Sequence, residues 1–313
     1  MEKSQPHYDR LIAAARDAGP ATVAVAHPCD RNALEAALDA ARLGLIEPIL
    51  VGPRARIQAA AEAAGLDISA LPLIDTPHSH ASAARAVELV REGKAAALMK
   101  GSLHTDELMG AVVAADTGLR TARRLSHCFV MDVPGRAEPL IITDAAINIT
   151  PSLSDKVDIV QNAIDLAHVL KFDPVKVAIL AAVETVNPKM PSTIDAAALC
   201  KMADRGQITG AVLDGPLAMD NAIDPEAAAI KHLVSPVAGQ ANILIAPDLE
   251  AGNMLAKSLT FMAGAGAAGI VLGARVPIIL TSRADTVQAR LASCAVAVLL
   301  AQGRLAGARI PGG

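Results

Sequence analysis

Tryptophan is missing from this 313-residue chain, and Tyr8 with Phe129, Phe172 and Phe261 supply its only aromatic rings. Platforms that stack nucleic-acid bases need more rings than that. A net charge of -4 leaves no global basic field to attract nucleic acid or an anionic membrane surface. Any anion must therefore be recognised by a local cluster of cations. The four cysteines, Cys29, Cys128, Cys200 and Cys294, form no CxxC pair. With an N-terminal stretch that lacks an apolar signal core, they read as reduced thiols of a cytoplasmic protein. The apolar stretch Leu291–Gly303 falls short of the ~20 residues that a membrane span needs. GxSxG and Walker A motifs are both absent. His27, His104 and His127 stand alone, and His78 and His80 have no Cys or acidic pair beside them, so no metal site is expected.

What the chain does have is alternation. Hydrophobic residues make up 52% of it, and they fall into short apolar runs separated by helical patterns. Thr22–Ala26, Pro48–Val51, Leu71–Ile74 and Ala95–Met99 read as buried strands. Asn32–Leu43, Ala55–Ala64 and Ser79–Arg91 read as the helices between them. That rhythm predicts a parallel sheet covered on both faces. Ser126–Val133 and Leu140–Thr143, joined by a Pro/Gly turn, predict an antiparallel excursion. A helix over Ser154–Leu170 follows, and the alternation then resumes. We expect an α/β protein of two domains, residues 1–148 with 283–313 and residues 149–282, the last helix returning to the first domain.

Several motifs fall where strands end. Gly264, Gly266 and Gly269 match a dinucleotide fingerprint by spacing, but a helix precedes them and a strand follows. That order is the reverse of what pyrophosphate binding requires, so they read as a tight connection. Thr281-Ser282-Arg283-Ala284-Asp285 lies at the carboxyl end of a strand, where ligands bind in parallel sheets. Ser282 and Arg283 suit a phosphate, and Asp285 suits a proton acceptor. The competing reading is a capping box with Ser282 as N-cap, a pattern repeated at Ser152/Asp155 and Ser192/Asp195. Lys100, Gly101 and Ser102 follow another apolar strand and suit an anion. Arg120, Arg123 and Arg124 form a dense basic cluster before Ser126. Asp144 and Asn148 end a strand, as do Glu184 and Asn187, and each pair is either a ligand-orienting group or an Asx turn. Asn253 sits in a loop after Pro247-Asp248.

Taken together, LMKGSLHTDELM, GLRTARRLSH, LIITDAAINITP, VETVNPKMPSTIDAAAL, DGPLAMDNAI, ANILIAPDLEAGNMLAKSL and VPIILTSRAD resemble the phosphate acetyl/butyryltransferase family, most closely its butyryltransferases. The resemblance covers nearly the whole chain. It implies a two-domain α/β/α sandwich of the isocitrate/isopropylmalate dehydrogenase-like type, with a cleft between domains and a homodimer. It also implies reversible acyl transfer between CoA and inorganic phosphate, with CoA as substrate and no bound cofactor. Ser282 and Arg283 match the family's Ser-Arg pair. The acid that phosphotransacetylases place seven residues after that serine is replaced here by Ala289, so Asp285 takes its place as the candidate base.

These correspondences give working roles. Ser282, Arg283, Asp285 and, as second choice, Asp144 are the candidates for chemistry. Lys100, Gly101, Ser102, Arg123, Arg124, Ser126, Asn148 and Asn253 are the candidates for holding phosphate, CoA or the acyl oxygen. Acyl-CoA and phosphate are the expected partners. An NAD-dependent dehydrogenase on the same fold and a CoA-binding homologue without activity are the alternatives, the latter suggested by Ala289.

Overall fold

A computed structural model describes residues 6–282 and 285–305. The chain opens with α1 (Pro6–Ala18), β1 (Ala21–Ala26), α2 (Arg31–Arg42), β2 (Ile46–Gly52), α3 (Arg54–Ala64), β3 (Leu73–Asp75), α4 (Ser79–Arg91), β4 (Ala97–Lys100) and α5 (Thr105–Val113). It continues with β5 (Ser126–Asp132), β6 (Leu140–Thr143), α6 (Leu153–Val169), β7 (Lys176–Leu180), α7 (Pro191–Asp204), β8 (Val212–Leu217), α8 (Met219–Ile223), α9 (Pro225–Ile230), β9 (Ile243–Ile245) and α10 (Leu249–Met262). It closes with β10 (Gly266–Leu272), β11 (Ile278–Ile279) and α11 (Val287–Leu305). This is the mixed α/β architecture that the alternating apolar runs predict.

Two compact units share these elements. One comprises Tyr8–Arg123 together with the chain from Ala268 onward, and the other is built on Arg124–Ala267. The first orders its strands β3-β2-β1-β4-β11-β10, parallel except where β10 meets β11. The second orders them β5-β6-β9-β7-β8, parallel except for the β5–β6 pair. Both divisions come earlier than the sequence suggests, and strand pairing explains why. β6 pairs in parallel with β9, which draws residues 126–143 into the second unit. β11 pairs with β4, which draws the chain before residue 283 into the first.

Local chemistry accounts for the elements. Val23, Ala24, Val25 and Ala26 of β1 are fully buried, as an apolar strand covered on both faces must be. Asp30 caps α2 by accepting the Ala33 N–H at 2.8 Å, and Leu34, Ala37 and Leu38 turn inward from that helix. Gly65 ends α3 at φ 66°, a backbone that favours glycine. Ser152 and Asp155 form the expected capping box on α6. Ser192 does not cap α7, because Met190 is its N-cap and Pro191 takes the first turn. Asp195 instead pairs with the buried Lys156 at 2.7 Å, tying α7 to α6. Of the GxGxxG spacing, Gly264, at φ 70°, lies between α10 and β10, while Gly266 opens β10 and Gly269 lies within it, so the motif spans a helix-to-strand connection and not a strand-to-helix turn.

Candidate active site

In the first unit the register pairs Ala26 with Lys100 and Ile279 with Met99, so the carboxyl ends of β1, β4 and β11 lie side by side. Beyond β4 the chain folds tightly onto the end of β1. Gly101 N–H donates to the Ala26 carbonyl at 2.9 Å, and Ser102 N–H donates to the His27 carbonyl at 2.9 Å. A Cβ at position 101 would collide with the carbonyl oxygens of Ala26 and His27, which is why a glycine stands there. The Ser102 hydroxyl donates to the His27 carbonyl at 2.8 Å and accepts the Cys29 N–H at 3.2 Å. Its place is therefore in the frame of the turn. Lys100 is half-buried, its ammonium held by the Leu103 carbonyl at 3.1 Å and the Gly101 carbonyl at 3.3 Å.

His27 had no partner legible in the sequence, yet it braces this turn. It is buried and adopts φ 56°, its Nδ1 lies 3.0 Å from Ser82 Oγ, and Ser82 Oγ lies 2.8 Å from Thr76 Oγ1. Burial, Arg56 and His78 together hold its pKa below the usual imidazole value, against Glu107.

After β11, Asp285 Oδ2 accepts the Ser282 N–H at 2.6 Å. Helix α11 begins only at Val287, where Thr286 Oγ1 accepts the Ala289 N–H at 3.1 Å. Thr286 is thus the capping residue, and the Ser282–Asp285 link is a separate turn rather than the capping box of the competing reading. Burial pushes the Asp285 carboxyl above the ordinary carboxylate value, while the Ser282 N–H and the positive charges of Arg290 and Lys100 act the other way. Arg290 is only 6% exposed. No motif in the sequence marks it, and its one signal is to be a lone charge entering the apolar stretch of α11. Arg283, the other half of the Ser-Arg pair, lies outside the described residues.

In the second unit the loop after β6 is built around one carboxylate. Asp144 is buried, and its Oδ1 accepts the Ala146 and Ile147 N–H groups at 2.8 and 3.0 Å. Its Oδ2 accepts the His127 and Asn148 N–H groups, both at 3.3 Å, and Asn148 Nδ2 at 2.5 Å. Asn148 Nδ2 also donates to the Leu125 carbonyl at 2.8 Å, and Asn148 Oδ1 accepts Arg124 Nε at 2.8 Å. Asn253, in the first turns of α10, donates to the Ala145 carbonyl at 2.9 Å. Five donors occupy Asp144, so it is the keystone of the loop. Ser126 is fully buried, with its hydroxyl accepting Asn162 Nδ2 at 2.9 Å. The product of this frame is Arg124, held through Nε and 3.5 Å from Asp155, with a side chain 54% exposed. Arg123 is half-buried, its N–H donating to Thr121 Oγ1 at 3.0 Å.

The remaining candidates resolve into structure. Glu184 pairs with Lys231 at 3.0 Å, and Asn187 closes an Asx turn on the Lys189 N–H. His78 caps α4, and His80 lies 3.2 Å from Glu107. Among the described residues, no three His, Cys, Asp or Glu side chains are grouped to hold a metal ion, and no helix is long and apolar enough to cross a membrane.

His127 carries a pH consequence. Its ring is buried, edge-on to Phe129 at 4.5 Å, and its Nδ1 has no hydrogen-bond partner. Burial pushes its pKa down from 6.5 to about 4, against the pull of Asp144. The unfolded chain takes up this proton near pH 6.5, whereas the folded one resists until about pH 4. The contribution is whole above pH 6.5 and is lost as pH falls toward 4, about 2 kcal/mol of it between pH 7 and pH 5. Urea unfolding at those two pH values should show the drop, and His127→Gln should flatten it.

The family model described as phosphate acetyl/butaryl transferase matches residues 79–298. A phosphate acetyltransferase of Rhizobium meliloti is 66% identical over 299 residues, 96% of this chain and 95% of that protein. The chain belongs to the phosphate acetyl/butyryltransferase family. A phosphate butyryltransferase of Clostridium acetobutylicum is 41% identical, over 94% of this chain and 98% of its own length. Both branches of the family are thus similar to this chain, the acetyltransferase at the higher identity. The crystal structure of a branched-chain phosphotransacylase from Enterococcus faecalis V583 superposes with a TM-score of 0.79 at 30% identity, covering 90% of this chain and 99% of the other. Lys100, Asp144, Asp285 and Arg290 all lie in the segment that the family model matches, whereas His27 lies before it.

Proposed function

We propose that this chain transfers a short acyl group, acetyl or butyryl, reversibly between CoA and inorganic phosphate, giving acyl phosphate and free CoA. The observation that carries this reading is the 66% identity to a phosphate acetyltransferase across 96% of the chain. In one direction a phosphate oxygen attacks the thioester carbonyl and the CoA thiolate leaves. In the other the CoA thiol, with a reference pKa of about 8.5, loses its proton and attacks the acyl phosphate. Neither direction needs a covalent enzyme intermediate. The protein's work is to align two anionic partners and to stabilise the developing oxyanion.

Asp285 is the base in this reading, its carboxyl raised toward the working pH by burial. Lys100, with Arg283 and Ser282, holds phosphate, and Arg124 offers a cation on the second unit for a substrate anion. Arg123 is the alternative to Arg124, and Asn253 supports the loop that presents it. The isocitrate/isopropylmalate dehydrogenase-like fold type, a cytoplasmic location and a homodimer belong to the same reading, on the strength of family membership. Incubating the full chain with acetyl-CoA and phosphate and trapping the product with hydroxylamine tests it. Acyl hydroxamate that forms only when phosphate is present supports the reaction, and its absence with both acetyl-CoA and butyryl-CoA sinks it.

A further inference from the structure

Arg124 opens the second unit, two residues before β5, and one face of α6 is given to holding it. Residues 155, 158 and 162 of that helix are three and four apart, a spacing that lines their side chains along one face. The row reads Asp155, Asp158 and Asn162. Asp158 Oδ2 accepts the Arg124 N–H at 2.8 Å, and Asn162 Nδ2 donates to the Arg124 carbonyl at 3.0 Å. Both main-chain polar groups of residue 124 are thus met by side chains of α6. A third contact, from Nε to Asn148 Oδ1 at 2.8 Å, gives the side chain its direction. The amino groups beyond Nε are left outward. Among the described residues only Asp155 approaches them, 3.5 Å from Nη1, and the side chain is 54% exposed. A tie between loop and helix needs the backbone contacts alone, whereas this frame also orders a long side chain at a cost in rotamer entropy. An arginine ordered in this way before any anion arrives is preorganised to bind one.

We propose that Asp158 is a positioning residue, which by holding the N–H of residue 124 aims the Arg124 guanidinium at a phosphate group of the substrate. The proposal deepens the acyltransferase reading and rests on it for the identity of the anion. The chemistry recognised is a phosphate oxyanion, which inorganic phosphate and CoA both carry, and the arginine fork suits either. Charge alone would give Asp158 the opposite part. A carboxylate beside an arginine competes with an incoming anion, so neutralising it should tighten anion binding. Positioning instead weakens binding when the acceptor is lost or displaced, and changes little when only the charge is lost. The direction of the effect decides between the two.

The test is calorimetric titration of the full chain with inorganic phosphate and, separately, with CoA. The titration that Arg124→Gln weakens by about tenfold or more names the anion that Arg124 meets. For that anion Asp158→Ala should weaken binding by about fivefold or more, through misplacement of the guanidinium. Asp158→Asn should restore affinity to within about twofold of wild type, because its amide oxygen can still accept the Arg124 N–H. Asp158→Ala added to Arg124→Gln should weaken binding no further, since a residue that acts through Arg124 then has nothing left to position. If the Ala variant does not fold, Asp158→Glu carries the test. It keeps the charge, displaces the acceptor by one methylene and should weaken binding by about threefold or more. Binding unchanged or tightened in the folded Ala or Glu variant, or weakened further in the double variant, overturns the assignment. So does an Arg124→Gln variant that leaves both titrations unaltered. The expected pattern supports Asp158 even if no acyl transfer is found, because no thioester is present. A chain that transfers acyl groups while Asp158→Ala binds both anions normally sinks the assignment and leaves the acyltransferase reading intact.

Discussion

Asp285→Asn is expected to lower kcat by about 10²–10⁴-fold, the usual contribution of a positioned general base, with little change in the KM for acyl-CoA. The substitution is nearly isosteric, and the amide oxygen can still accept the Ser282 N–H that holds the turn. What it removes is the negative charge and the ability to take a proton. Burial raises the wild-type carboxyl above its ordinary value, with Arg290 and Lys100 limiting the rise. The acid limb of kcat/KM against pH should therefore lie above the ordinary carboxylate range and vanish in the variant. A variant with near-normal kcat and an unchanged acid limb would show that another group takes the proton.

Asp144→Ala should be the most destabilising single change in the second unit. It strips acceptors from the Ala146, Ile147, His127 and Asn148 N–H groups and from the Asn148 amide, around a carboxylate that is itself buried. Each orphaned buried donor costs about 1–3 kcal/mol, so a loss of at least about 3 kcal/mol in unfolding free energy is expected. Asp144→Asn should rescue little, because donors approach both carboxylate oxygens and an amide nitrogen must face one set or the other. Activity should fall with either change even where the chain stays folded, since Asn148 loses its anchor and Arg124 its partner. Denaturant melts of the two variants, with activity measured below the transition, check both statements. A melt within about 0.5 kcal/mol of wild type would mean that Asp144 is not the keystone described here.

The comparison of sequence and structure separates local from distant causes. Apolar runs such as Thr22–Ala26 were legible because burial on both faces leaves a continuous hydrophobic signature. The box at Ser152/Asp155 was legible because capping is decided within four residues. The same spacing misled at Ser192, where a proline in the first turn shifts the helix start, and at Ser282 the competing capping reading gives way to Thr286, which accepts the Ala289 N–H. The division into units was placed too late because β6 pairs with β9 and β11 with β4. Such pairing joins residues far apart in the chain and leaves no mark in either strand.

The site shows the same split. Lys100, Ser282 and Asp285 could be placed at the carboxyl ends of strands because those ends can be read from the pattern, and that is where ligands gather in parallel sheets. The inward role of Asp144 and Ser126 was hidden, because a polar residue that faces ligand and one that braces a loop look alike in sequence. His27 and Arg290 were missed for the converse reason. Each stands alone in its segment, and its significance comes from Ser82 in one case and from the Asp285 turn in the other.

The most direct test of acyl transfer is the release of free thiol from acetyl-CoA and butyryl-CoA by the purified full chain, followed with and without inorganic phosphate. The account predicts catalytic thiol release that requires phosphate and saturates with it, and the ratio of the two rates assigns the acyl preference. Thiol release that ignores phosphate, or CoA binding with no release from either thioester, would contradict it. The second of those results would favour a CoA-binding homologue without activity and make Ala289→Asp the variant to examine.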